Sequence, residues 1–196
     1  GGLTVASLVM CYVLWRRGFT LVRRDLSSVL PLRNSIPFNT SKRQSIGKAV
    51  KAGLAIASVS AAEFHELLTD VLNRQHGAQP VHSSDDMGLL MRRFPGMIDI
   101  YAAKLDGCLL AGAMVYKYNH IWHTQYLACS DQGRDCGALD FVVNHIKNTA
   151  ADLNISYLSF GTSSKDAGKH VNEGLLWQKE SFGARSITHD FMQGMI

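Results

Sequence analysis

No internal repeat and no low-complexity tract runs through these 196 residues, which sets aside solenoids, fibres and disordered tails. Cysteine is scarce: Cys11, Cys108, Cys129 and Cys136 are the only four, and none are spaced C-x-x-C. Neither a disulfide framework nor a zinc site is implied, and they read as reduced thiols of a cytoplasmic protein. No metal is expected. No apolar run reaches the roughly 20 residues of a membrane helix. Leu3 to Trp15, followed by Arg16-Arg17, comes nearest, but it is too short and has no charged leader or cleavage site of a signal peptide. No transmembrane segment is expected. A Ser-His-Asp pattern is also missing. The chain opens on Gly-Gly without methionine; it reads as a fragment or processed form whose first helix packs on something.

What is present is enough apolar residue, 46%, for one well-packed domain with an appendage. The formal charge of +4 is mild, and much of it sits before residue 52, where Lys42, Arg43, Lys48 and Lys51 fall on one basic helix. Such an excess reads as a solvated face rather than a nucleic-acid footprint. Residues 1–39 suggest a helix, a short strand over Phe19 to Arg24 and a connector containing Pro31 and Pro37. Residues 40–196 suggest the main domain. Within it the spacing predicts helices over 40–52, 61–75, 83–93, 137–153 and 168–181. Strands are predicted over 54–59, 98–105, 108–118, 121–129, 155–160 and 185–192. Asp106-Gly107 suits a tight hairpin turn between two of them. The natural packing is an α/β (α+β) domain, a mixed sheet with helices on both faces.

The stretch Gln125 to Leu139 is the pivot. An alternating strand gives way to a glycine-bearing turn and then to an amphipathic helix, a junction that suits a bound phosphate. The order of elements resembles the GNAT acyltransferase superfamily, and more closely its Fem-type (FemAB-like) members from bacterial cell-wall and polysaccharide loci. The segments that carry the likeness are Arg24 to Ser28, Pro80 to Ser83, His123 to Tyr126, Gly137 to Asp140, Phe160 to Ser163 and Asn172 to Gly183. Together they cover the chain from about Phe19 onward. The resemblance implies a mostly antiparallel GNAT-like sheet. It also implies a preceding GNAT-like half, of which residues 1–39 would be a remnant or a link.

The implied activity moves an acyl group from acetyl-CoA, or another acyl-CoA used as donor substrate, to an amine. That amine would sit on a sugar nucleotide or on a small-molecule or lipid-linked cell-wall precursor. Two alternatives stay open: a binding or scaffold domain without catalysis, and tRNA-dependent aminoacyl transfer to a peptidoglycan precursor. A homo-oligomer is compatible with either. Two departures from the family pattern stand out. Leu139 occupies a slot usually held by a small residue in the phosphate loop. Trp177 stands where a tyrosine acid is common, and an indole N–H cannot serve as a proton donor near neutral pH.

Acyl transfer needs a polarised carbonyl, a base for the amine proton and a route for the leaving group. His82 follows Pro80 in a loop and His123 lies on the strand entering the pivot; either can act as base. The expected catalytic residues are His82, His123, Gln125 and Tyr126, alternation putting His123 and Gln125 on one face of that strand and Tyr126 on the other. Arg134 with Gly133, Gly137 and Ala138 is the expected donor-phosphate site, an ordinary strand-to-helix turn being the plain alternative. Ser163, Asn172 and Lys179 are expected to contact substrate, with capping and surface ion pairing as their plain alternative. Trp177, Leu175 and Leu176 are expected in the core.

Overall fold

A computed structural model describes residues 5–33 and 36–194. Its elements run α1 (Val5–Arg16), β1 (Thr20–Pro31), α2 (Thr40–Lys51), β2 (Ala55–Ala57), α3 (Ala61–His76) and α4 (Ser84–Arg93). Then come β3 (Ile98–Leu105), β4 (Cys108–Lys117), β5 (Ile121–Cys129), α5 (Asp131–Cys136) and α6 (Ala138–Asp152). The chain ends with β6 (Tyr157–Thr162), β7 (Ser164–Lys165), β8 (His170–Val171), α7 (Glu173–Ser181) and β9 (Arg185–Gln193).

Seven strands form one sheet in the order β2-β3-β4-β5-β6-β1-β9, and β7 pairs with β8 alone. Every neighbouring pair in the large sheet is antiparallel except β5 with β6. That one parallel pair follows from α6, a crossover helix that returns the chain to the end of the sheet where β5 began. The β3–β4 hairpin turns at Asp106 and Gly107, both at positive φ, as the dipeptide requires.

Each face has its own core. On one, Ala49 of α2, Ala138, Val142, Val143, Ile146 and Ala150 of α6, and Phe182 after α7 pack on Leu30, Val115, Trp122 and Leu158. Phe182 stacks on Phe160 there and meets Phe38 edge to face. On the other, Phe64 and Leu68 of α3 and Met87 of α4 cover Ile98, Met114 and Ala128. Gly112 lies beneath Phe64, whose ring would be 2.9 Å from an added Cβ. The two helices of this second layer begin at good caps: Ser60 accepts from the Glu63 N–H, and Ser83 with Asp86 makes a capping box.

Several sequence readings need revision. The expected short strand at Phe19 to Arg24 continues to Pro31 as an inner strand, so residues 25–31 are not a connector. The polar Asp25, Ser27 and Ser28 masked it, yet all three are buried. Helix α2 is capped by Asn39, whose side chain accepts from the Lys42 N–H. The last helix starts at Glu173, five residues late, because Ser164 to Val171 forms a small hairpin instead. Trp177 is 69% exposed and is not core. Helix α5 was not foreseen.

Candidate active site at the opening between two parallel strands

Strands β5 and β6 pair only at Ile121 with Tyr157, Trp122 with Leu158 and His123 with Ser159. Beyond His123 they part. Strand β6 continues against β1 as far as Thr162, while β5 continues against β4 as far as Cys129. The side of β5 that faced β6 therefore has no strand partner after the fork.

At the fork the register of β4 with β5 slips, Met114 opposing Tyr126 but Val115 opposing Thr124. Gln125 is the extra residue of a bulge, and an extra residue reverses the alternation beyond it. Trp122 therefore shares a core with Leu127 and Cys129, whereas Tyr126 and Ala128 pack on the opposite side. His123 and Tyr126 thus share a face, against the expectation from strict alternation.

The four expected catalytic residues fall into two pairs. His123 Nδ1 lies 3.1 Å from the Ser159 hydroxyl, and its Cε1 is 3.1 Å from where a Cβ of Gly161 would stand. Burial holds the His123 imidazole below its ordinary pKa, with Gln125 opposing through a hydrogen bond and Lys179 adding to the drop. His82 Nδ1 lies 2.7 Å from the Tyr126 hydroxyl, the two rings edge to face. His82 precedes Ser83, the cap of α4, so the capping box fixes the loop that carries it.

The expected phosphate cradle is otherwise engaged. Ser130 starts α5, its hydroxyl accepting from the Gly133 N–H and its carbonyl from the Arg134 N–H. The Gly137 N–H donates to the Arg134 carbonyl. None of these three amides is free, and the Arg134 side chain is half exposed beside Asp131. The two glycines are explained by packing: a Cβ on Gly133 would meet the Leu110 carbonyl, and one on Gly137 the Ser45 carbonyl of α2. The residual donors are the first-turn amides of α6, which has no side-chain cap. Of these, the Leu139 N–H faces the Cys129 thiol, whose pKa burial pushes up to about 11. Lys42 of α2 pairs with Asp140 at 2.6 Å and lies over the Phe182 ring. A cavity of about 220 Å³ remains between α2 and the start of α6.

The three expected substrate contacts form one knot. Lys179 is 4% exposed, and its ammonium donates to the Gly161 carbonyl (3.1 Å), the Thr162 carbonyl (2.7 Å) and the Ser163 hydroxyl (3.1 Å). Asn172 caps α7 through the Leu175 N–H, and its own N–H donates to the Ser163 carbonyl. Burial lowers the Lys179 pKa to about 8. Lysine thus fills the end of β6 where β5 has left it. Among residues not singled out by sequence, Ser27, Ser159 and His189 line the open side of the fork. The only signal for Ser159 was a hydroxyl inside the apolar run Leu158 to Phe160.

The profile of the acetyltransferase (GNAT) domain matches residues 40–168, and the chain belongs to this family of acyltransferases. A search of curated proteins finds no match. Among solved structures the fold is similar to FemX, at 13% identity and a TM-score of 0.77, over 97% of this chain and 70% of that one. It is also similar to the C-terminal domain of a putative lysylphosphatidylglycerol synthetase from Agrobacterium fabrum (12% identity, TM-score 0.66, 94% of this chain and 63% of that one). The L-PGS of Bacillus licheniformis is comparable (10%, 0.66, 92% and 63%). The chain thus spans under two thirds of the length of the last two. Among the described residues no helix is long and apolar enough to cross a membrane, and no His, Cys, Asp and Glu cluster is arranged to hold a metal.

Proposed function

We propose that the chain moves an acyl group from an acyl-CoA thioester to an amine on a sugar nucleotide or a cell-wall or polysaccharide precursor. The fork between β5 and β6 is the reacting centre. The observation that supports this reading is the neutral imidazole of His123 at the fork, oriented by Ser159. His123 takes the proton of the attacking amine as the new C–N bond forms. The C–S bond then breaks, and the Tyr126 hydroxyl, held by His82, protonates the thiolate in the place of the missing tyrosine at Trp177. His123 then gives its proton to solvent, and Tyr126 regains one from solvent through His82.

A second reading, transfer of an aminoacyl group from tRNA to a peptidoglycan precursor, is favoured by one observation. Ser45 packs on Gly137, and the amides of Gly133, Arg134 and Gly137 are taken, which leaves little room for a diphosphate. Melting curves with acetyl-CoA separate the two, since a ligand that binds only the folded chain raises its stability by mass action. A rise in Tm with acetyl-CoA, together with turnover lost in His123→Gln, supports the first reading. A flat Tm with transfer from aminoacyl-tRNA supports the second.

A further inference from the structure

The fork opens into a cavity of about 550 Å³ over β6, β1 and β9, within the roughly 300–1,000 Å³ typical of ligand sites. The side chains that line it are Ser27, His123, Gln125, Ser159, Thr162 and His189, together with Thr124 and the backbone at Gly161. None is Asp, Glu, Lys or Arg. None is aliphatic, and the one aromatic residue, Phe160, directs its ring into the opposite core against Phe182.

Nearby charges are already neutralised. Arg23 donates to both carboxylate oxygens of Asp25, at 2.9 and 2.6 Å. Asp25 opposes His189 across the β1–β9 ladder. The Lys179 ammonium beneath the floor has three acceptors for its three protons. Ser27, 7% exposed, lines the cavity, whereas the buried hydroxyl left without a partner among the described residues is that of its neighbour Ser28.

We propose that this cavity is the subsite for the ring of an amino sugar, whose amine points at His123. The proposal rests on the fork as the acyl-transfer centre. Hydroxyl, amide and imidazole groups each donate or accept, which matches a neutral ring bearing hydroxyls that do both. A phosphate or a peptide carboxylate would find no cation inside, so the diphosphate of a sugar nucleotide lies outside the cavity. An acyl chain would find no apolar wall.

The test uses the whole chain and saturation-transfer NMR with glucosamine, and glycyl-lysine as an amine without a ring. Glucosamine is expected to give the stronger signal. Ser27→Ala and His189→Ala are each expected to weaken it about tenfold, equal to 1.4 kcal/mol, at unchanged Tm. Equal or stronger binding of glycyl-lysine, or sugar binding untouched by both variants, overturns the proposal. Transfer from acetyl-CoA is measured in parallel with both amines. Sugar binding that depends on Ser27 and His189 without any transfer upholds the subsite and sinks the transferase reading. Transfer to glycyl-lysine without sugar binding does the reverse.

Discussion

Lys179 offers the sharpest quantitative test of the site. Burial moves its pKa from 10.5 to about 8 in the folded chain, while in the unfolded chain it keeps its ordinary value. Between those limits the unfolded chain binds the extra proton, so stability rises with pH across that window. Integrated from about pH 7.5 to about pH 9.5, this is worth about 2 kcal/mol, and the three hydrogen-bond acceptors, which favour the ammonium, reduce it. Cys129 works the other way: its raised pKa, about 11 against 9.0, protects stability below pH 9 and loses it above. Lys179→Met cancels that background. The assay is urea unfolding of wild type and Lys179→Met at intervals between those two pH values. The difference in unfolding free energy is expected to grow steadily in favour of wild type. A constant or shrinking difference would refute the claim that this ammonium is desolvated at the end of β6.

Four further outcomes can be checked directly. Tyr126→Phe removes the 2.7 Å bond to His82 and is expected to lower turnover at least tenfold while the Tm moves little, as read by steady-state kinetics and melting. Gly137→Ala is expected to cost about 1–3 kcal/mol in urea unfolding, since φ is +77° and the Cβ meets Ser45; an unchanged midpoint would contradict the packing of α2 on α6. Ser130→Ala deletes the cap of α5 and should cost about 1 kcal/mol while freeing the Gly133 amide. Arg24→Ala breaks a bidentate pair with Asp190, but Arg24 is more than half exposed and its charge is screened by water, so calorimetry should register little change in Tm.

How much of this was legible in the sequence depended on whether the deciding force was local. The β3–β4 hairpin was legible because Asp106-Gly107 accepts positive φ at both positions, and α3 and α4 because Ser60 and Ser83 cap apolar faces. The bulge at Gln125 was not legible. It is set by pairing with β4, so the shared face of His123 and Tyr126 could not be read from alternation. Helix α5 was read as a glycine turn, although Ser130 three residues before Gly133 is a cap signal; the same helix removed the amides expected to cradle phosphate. Strand β1 was cut short because Asp25, Ser27 and Ser28 look like loop residues. Their burial comes from β6 and β9, contributed by residues more than a hundred positions away. Lys179, Ser163 and Asn172 are expected as substrate contacts, and nothing local shows that the Lys179 ammonium is enclosed by two carbonyls and a hydroxyl.

The place of β1 also governs how the polypeptide can be divided. Among the described residues β9 pairs with the sheet only through β1, and the Arg24–Asp190 pair joins residues 166 apart in sequence. A shortened polypeptide beginning at residue 40, where the family match starts, would strand β9 and bare the flank of β6 to foreign partners. Supplied separately, a peptide carrying residues 20–31 would be the natural complement, slotting in as a missing stave.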